Sequence, residues 1–185
     1  MGLNTGHVLT TARMTLSDIT DDDFAAAYET DRDPLVLRYI GDGTGETRSF
    51  DDFCAHFRAR IESWMSPICR MWVMRPTHPY GSDAFLGLVF LKSVKDTPYV
   101  EVGYRMPQSS WGNGYATEAA RAAISYGFDV GGLNEITAVT HPDNVASQHV
   151  LTKCGLKREG TFNYNGRGEI PFFRLTKQDY ESGFR

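Results

Sequence analysis

The chain has 185 residues, 41% of them hydrophobic, with 19 Lys and Arg against 23 Asp and Glu and a formal net charge of −4. That length fits one domain with a real core, and the charge lacks the basic excess of a nucleic-acid binder. No apolar run approaches the ~18 residues of a membrane span, and no basic-then-apolar leader opens the chain, so the cytoplasm is the expected compartment.

Residues 8–16 alternate loosely and predict a first strand. Short helices are predicted over 21–30, with Thr20 as N-cap before three aspartates, and over 33–40. Gly41 to Gly45 reads as a loop, and Phe50, Phe53, Phe57, Ile61 and Trp64 recur at helical spacing within 49–64. Met71 to Met74 predicts a buried strand, joined through the proline- and glycine-bearing stretch 76–83 to another over 85–91. A strand over 99–106 follows, then a helix reaching about Val130. Its Ala116, Ala119, Ala120 and Ala123 suit close packing on a sheet. Ile136 to Thr140 predicts a β-branched strand, and a helix runs from Asp143 or Asn144 to Cys154. Gly155 suits the left-handed position that ends it, with Leu156 as the apolar partner folding back. Two closing strands fall near 157–164 and 170–175. The order describes an α+β domain over 1–185, antiparallel first and then β-α-β-α-β. Cys54, Cys69 and Cys154 are odd in number and lack CxxC spacing, and the five histidines lack ligand spacing, so neither disulfides nor a metal is expected.

The richest stretch is Trp111-Gly112-Asn113-Gly114-Tyr115-Ala116-Thr117, between the strand ending at Met106 and the Ala-rich helix. Glycines there let several backbone N–H groups converge at a helix N-terminus, an anion-binding device suited to phosphate. A dinucleotide-binding GxGxxG reading fits poorly. Thr117 stands at the third glycine, Pro107 to Trp111 separate strand from glycine, and Asp143 lies beyond the usual ~20 residues.

Three blocks carry a wider match. Leu9 to Leu16 with Asp21 to Phe24 follows the pattern L-x-T-x-R-L-x-L-R…D. Glu101-Val102-Gly103-Tyr104 leads into the glycine loop, Glu118 and Ala119. Asn144-x-x-Ser147, Val150 to Leu156 and Glu159-Gly160 follow N-x-x-S…V-L-x-K-x-G-F-x-x-E-G. Together, over roughly 9–175, they resemble the GNAT superfamily of acetyl-CoA-dependent N-acetyltransferases, specifically its RimJ/RimL-like branch.

The resemblance implies a mixed, largely antiparallel sheet whose fourth and fifth strands splay apart to admit pantetheine. It places the pyrophosphate on the N–H groups of Trp111, Gly112, Asn113, Gly114, Tyr115, Ala116 and Thr117. Pantetheine then lies along the backbone of Tyr104, Arg105 and Met106, with a contact to Asn144, which also suits a helix cap. Trp111 replaces a common Gln or Arg, a change that backbone contacts survive. Glu101, on the central strand near the splay, is the candidate base or water-ordering acid; the plainer reading is a strand glutamate paired with Arg or Tyr. Alternation cannot fix its facing, because a bulge would shift the parity. Ser147 is the candidate to return a proton to the thiolate, since Leu151 occupies the position of a common tyrosine. Asn163 and Tyr164 stand where some RimL-like enzymes carry Glu; Glu169 is a weaker substitute, His141 a candidate for the amine channel, and Cys154 a packing residue.

The function implied is direct acetyl transfer from acetyl-CoA to a primary amine, either a protein N-terminus or a small molecule, with a homodimer compatible. The alternative is a non-catalytic acyl-CoA-binding sensor or interaction module.

Overall fold

The computed structural model describes residues 8–40, 47–64, 68–77, 83–164 and 168–183. The predicted 41–45 loop, most of the 76–83 connection and the tip of the last hairpin lie outside these residues. Where the sequence predicts one strand over 8–16, there are two, β1 (Leu9–Thr10) and β2 (Met14–Asp18). The N–H and hydroxyl of Thr11 both donate to the Met14 carbonyl, at 2.8 and 3.0 Å, so the chain folds back and pairs Leu9 with Leu16.

After a 3₁₀ turn at Asp21–Asp23, α1 (Phe24–Arg32) leads to α2, which spans only Pro34–Leu37 rather than 33–40. The Asp33 side chain caps α2 by accepting from Leu35 N–H at 2.9 Å. Then come α3 (Phe50–Trp64), β3 (Arg70–Pro76), β4 (Gly87–Ser93), β5 (Val100–Arg105), α4 (Tyr115–Ser125) and β6 (Glu135–Val139). The chain closes with α5 (Val145–Lys153), β7 (Lys157–Asn163), β8 (Glu169–Thr176) and α6 (Lys177–Gly183). Sequence periodicity misses α6, because Tyr180 is its one buried residue. That ring stacks on Phe128 at 4.7 Å, and its hydroxyl donates to Asp129 at 2.8 Å.

The eight strands form one sheet in the order β1-β2-β3-β4-β5-β6-β8-β7. Strand alternation divides its core in two. Met71 and Val73 of β3 face Phe24 of α1 and Phe53, Phe57 and Ile61 of α3. Trp72 and Met74 face the other layer, with Ala119, Ala120 and Ala123 of α4, Leu151 of α5 and Tyr180 of α6. Those three alanines are wholly buried, so α4 lies close on the sheet as their size predicts.

All neighbouring strands are antiparallel except β5 and β6. β5 pairs with β4 over six positions, Leu88↔Arg105 to Ser93↔Val100, but with β6 only at Glu101↔Thr137. The Thr137 hydroxyl reinforces that junction by donating to the Val100 carbonyl at 3.2 Å. Beyond it the two strands run on without a further registered pair, which opens the sheet at the predicted fourth and fifth strands.

Helix α5 ends as the sequence predicts. Gly155 has φ 84°, its N–H donates to Thr152 O at 2.9 Å, and Leu156 N–H donates to Leu151 O at 3.1 Å. Cys154, just inside, is buried, and burial pushes its thiol from 9.0 up to about 11, with the Arg121 charge opposing. Between those values the unfolded chain has lost a proton the folded chain keeps, so stability falls as pH rises through that window. Cys154→Ala is therefore expected to lose less stability than the native chain as pH rises from 9.0 to about 11, read from urea unfolding.

Candidate active site

The strand-to-helix loop is built by its own backbone and by a distant arginine. After a 3₁₀ turn at Gln108–Ser110, the Trp111 indole N–H donates to Met106 O at 3.0 Å, and the Asn113 amide donates to Trp111 O at 3.0 Å. Gly112 and Gly114 have φ of 75° and 79°, backbone that L side chains rarely adopt. Gly114 is the N-cap of α4, whose ladder starts with Glu118 N–H donating to Gly114 O at 3.1 Å. The N–H groups of Tyr115, Ala116 and Thr117 thus have no intrahelical acceptor and sit at the positive end of the helix dipole.

Arg13, from the β1–β2 turn, braces this loop. Its Nε donates to Glu118 Oε2 at 2.8 Å, its backbone N–H to Oε1 at 2.9 Å, and Nη1 to the Asn113 carbonyl at 2.9 Å. The guanidinium also lies over the Tyr115 ring, 4.9 Å from its centroid. Burial alone would raise the Glu118 carboxyl; hydrogen bonds from Thr11 and Arg13, with the Arg13 charge, outweigh it and hold the group below its ordinary value. No spacing rule pairs residues 105 positions apart, so the sequence shows Arg13 only as part of a block match.

A cavity of about 510 Å³ opens between this loop, the end of β5, the start of α5 and residues 35–40. Of the predicted cofactor residues, Tyr104, Arg105, Met106, Trp111, Gly112, Gly114, Tyr115, Ala116, Thr117 and Asn144 line it, as does Ser147. Asn113 is not among the lining residues; its side-chain amide donates to Trp111 O and its carbonyl accepts from Arg13.

Asn144 caps α5 by accepting from Ser147 N–H at 3.1 Å. The Ser147 hydroxyl meets the Tyr104 hydroxyl at 2.9 Å, and Tyr104 Oη also lies 3.2 Å from Ser147 O. Burial pushes the Tyr104 phenol well above its ordinary value, with the Ser147 hydrogen bond opposing, so it stays protonated at neutral pH. The resemblance implies only a backbone role for Tyr104; its side-chain meeting with α5, 43 positions on, depends on the tertiary fold.

The β4–β5 register runs unbroken, which settles the facing of Glu101. Tyr104 points to α5, whereas Glu101 and Arg105 point to the layer of α1 and α3. Arg105 pairs there with buried Asp31 of α1. Glu101 is 6% exposed and does not line the cavity. Its Oε1 accepts from Lys92 Nζ at 2.9 Å and from the Tyr164 hydroxyl at 2.8 Å, and Lys92 lies over the Trp64 ring at 4.8 Å. Oε2 is buried with no hydrogen-bond partner among the described residues. The expected Arg or Tyr partner is thus Tyr164, together with Lys92. His141 stacks on Tyr39 at 5.2 Å and accepts Asp143 N–H at Nδ1, at 3.1 Å. Glu169 accepts from Thr161 across the last hairpin at 2.6 Å.

A sheet opened at its parallel junction, with a helix start of unpaired N–H groups beside the gap, forms a site suited to a phosphate-bearing ligand. The profile of the acetyltransferase (GNAT) domain matches residues 13–157, and the chain belongs to that family of acetyl-CoA-dependent enzymes. It is 30% identical over 155 residues to the uncharacterized N-acetyltransferase YnaD of Bacillus subtilis (strain 168), covering 83% of this chain and 85% of that one. A GNAT-family acetyltransferase structure from Bacillus anthracis superposes with a TM-score of 0.76 at 21% identity, over 93% of this chain and 99% of that one. Spermidine N-acetyltransferase from Vibrio cholerae, in complex with CoA and spermine, does so at 0.72 and 19% identity, over 91% and 98%. Among the described residues, no helix is long and apolar enough to cross a membrane.

Proposed function

We propose that the protein transfers an acetyl group directly to a primary amine, in the manner of the RimJ/RimL-like branch and within the cytoplasm, as one domain over 1–185. The carrying observation is the cavity that joins the Gly112–Thr117 N–H groups to the Tyr104–Ser147 hydroxyl pair. These residues fit acetyl-CoA: φ of 79° at Gly114 presents unpaired N–H groups suited to the pyrophosphate, and the β5 edge without a β6 partner suits the pantetheine amides. Acetyl-CoA supplies the thioester; a C–N bond forms, the C–S bond breaks, and the proton shed by the amine ends on sulfur. In this reading Trp111 to Thr117 hold phosphate, Tyr104 to Met106 and Asn144 hold pantetheine, and Glu101 draws the amine proton through Oε2 or an ordered water. Ser147 serves the departing sulfur. The acceptor is a protein N-terminus or a small amine such as a polyamine.

A non-catalytic acyl-CoA-binding module is the second reading, favoured by the Lys92 ammonium that already neutralises Glu101. Incubation with acetyl-CoA and a panel of polyamines, aminoglycosides and peptides with free N-termini, with mass detection of product, separates the two. Product formed at catalytic turnover supports the enzyme; tight acetyl-CoA binding with no product across the panel supports the module.

Ser147→Ala is expected to lower turnover about tenfold to a hundredfold, the lower end of general-acid effects. The backbone N–H that serves the Asn144 cap and the Ser147 carbonyl that the Tyr104 hydroxyl also reaches both survive this change, so the melting temperature should change little. A lower melting temperature with native turnover would assign Ser147 a packing role only.

A further inference from the structure

We propose that Tyr104 is a positioning residue, which aims the Ser147 hydroxyl proton into the cavity at the sulfur of bound CoA. The proposal rests on the reading of Ser147 above and adds a second hydroxyl to it. Tyr104 has one proton and two acceptors on Ser147, Oγ at 2.9 Å and the backbone carbonyl at 3.2 Å. That carbonyl lies within α5, where the helical ladder already supplies it with a donor four residues on. The carbonyl keeps a second lone pair, so distance decides, and the shorter contact assigns the Tyr104 proton to Oγ.

With Tyr104 donating to Oγ, the serine proton cannot return to Tyr104 and needs another acceptor. Helical serines commonly turn to a carbonyl three or four residues back. Here neither Asn144 O nor Asp143 O accepts from Ser147 Oγ, whose hydrogen-bond partner among the described residues is Tyr104. The proton is left to the cavity that Ser147 lines. Asn144 fixes the serine backbone from one side and Tyr104 fixes its oxygen from the other, so the hydroxyl is held before any substrate arrives. Burial supports this arrangement by keeping the phenol a neutral donor.

Bound CoA itself can report the hydrogen bond, with no acceptor amine needed. The thiol of CoA bound to the native chain is titrated by thiolate ultraviolet absorbance, alongside Tyr104→Phe, Ser147→Ala and the double variant. Calorimetric CoA affinity confirms that each is folded and loaded. Donation to the thiolate lowers the midpoint of the native complex, and each single variant should raise it by about one pH unit. His149, Lys153 and Arg105, which also line the cavity, are common to all four proteins and cancel. The double variant should match Ser147→Ala, because Tyr104 acts through Ser147. Ser147→Thr, which keeps a hydroxyl, should retain the low midpoint. A native midpoint in Ser147→Ala overturns the reading of Ser147 and this proposal with it. A raised midpoint in Ser147→Ala beside a native one in Tyr104→Phe overturns the proposal alone, as do additive shifts in the double variant. If Tyr104→Phe does not fold, a native midpoint in Tyr104→Leu overturns it equally.

Discussion

Gly114→Val should weaken acetyl-CoA binding about tenfold to a hundredfold, a loss of roughly 1.4–2.7 kcal/mol. Two effects combine. At φ 79° an L side chain is strained by about 1–2 kcal/mol, and a β-branched one suffers most. The residue can relieve that strain only by rotating out of the left-handed region, which re-aims the N–H groups of Tyr115, Ala116 and Thr117. A Cβ at this position also lies 3.4 Å from Arg13 Nη2, so the larger side chain pushes on the guanidinium that holds Asn113 and Glu118. Calorimetry on the folded variant reads the loss. An unchanged affinity would place the phosphates elsewhere. Gly112, where a Cβ meets nothing within 4 Å, supplies a comparison: alanine there tests strain without displacing Arg13.

Glu101→Gln should slow turnover by about a hundredfold while leaving acetyl-CoA affinity unchanged. The amide keeps the shape and can still accept from Tyr164 and Lys92 at one oxygen. What it loses is the negative charge and an acceptor at Oε2, where a proton from the amine could be received. A buried carboxylate oxygen without a donor is costly, and an incoming ammonium or ordered water relieves that cost. The fall should be steepest below the pKa of the acceptor amine, where a proton must be removed before attack. Native turnover across the pH range would make Glu101 the structural partner of Lys92 and Tyr164.

Local pattern revealed the elements that depend on neighbours in sequence. Helical spacing of Phe53, Phe57 and Ile61 found α3, and a terminal glycine found the end of α5. The resemblance implied the opening in the sheet, and the glycine loop marked the strand-to-helix junction that lines the cavity. What stayed hidden depends on distance along the chain. The turn that splits 8–16 hangs on one threonine hydroxyl, and α6 buries a single ring. Arg13 meets Glu118, Lys92 and Tyr164 meet Glu101, and Tyr104 meets Ser147 only once the sheet has formed. A resemblance carries residue identities from one chain to another, yet it does not say which side chains touch. Asn113 illustrates this, since it sits inside the expected loop, its amide donating to Trp111 O and its carbonyl accepting from distant Arg13.

The lone Glu101–Thr137 pairing also makes the sheet mechanically two plates. One carries β1 to β5, the other β6, β8 and β7, and a single rivet of backbone hydrogen bonding joins their edges. Elsewhere neighbouring strands share a ladder, so relative motion would break several hydrogen bonds together. At this seam it would break few, and the seam is the natural place for the sheet to flex. The cavity walls come from both sides, Tyr104 to Met106 from the first plate and the start of α5 from the second. A molecule seated there would bolt the two plates together, and stiffening of the seam on binding is the expected consequence.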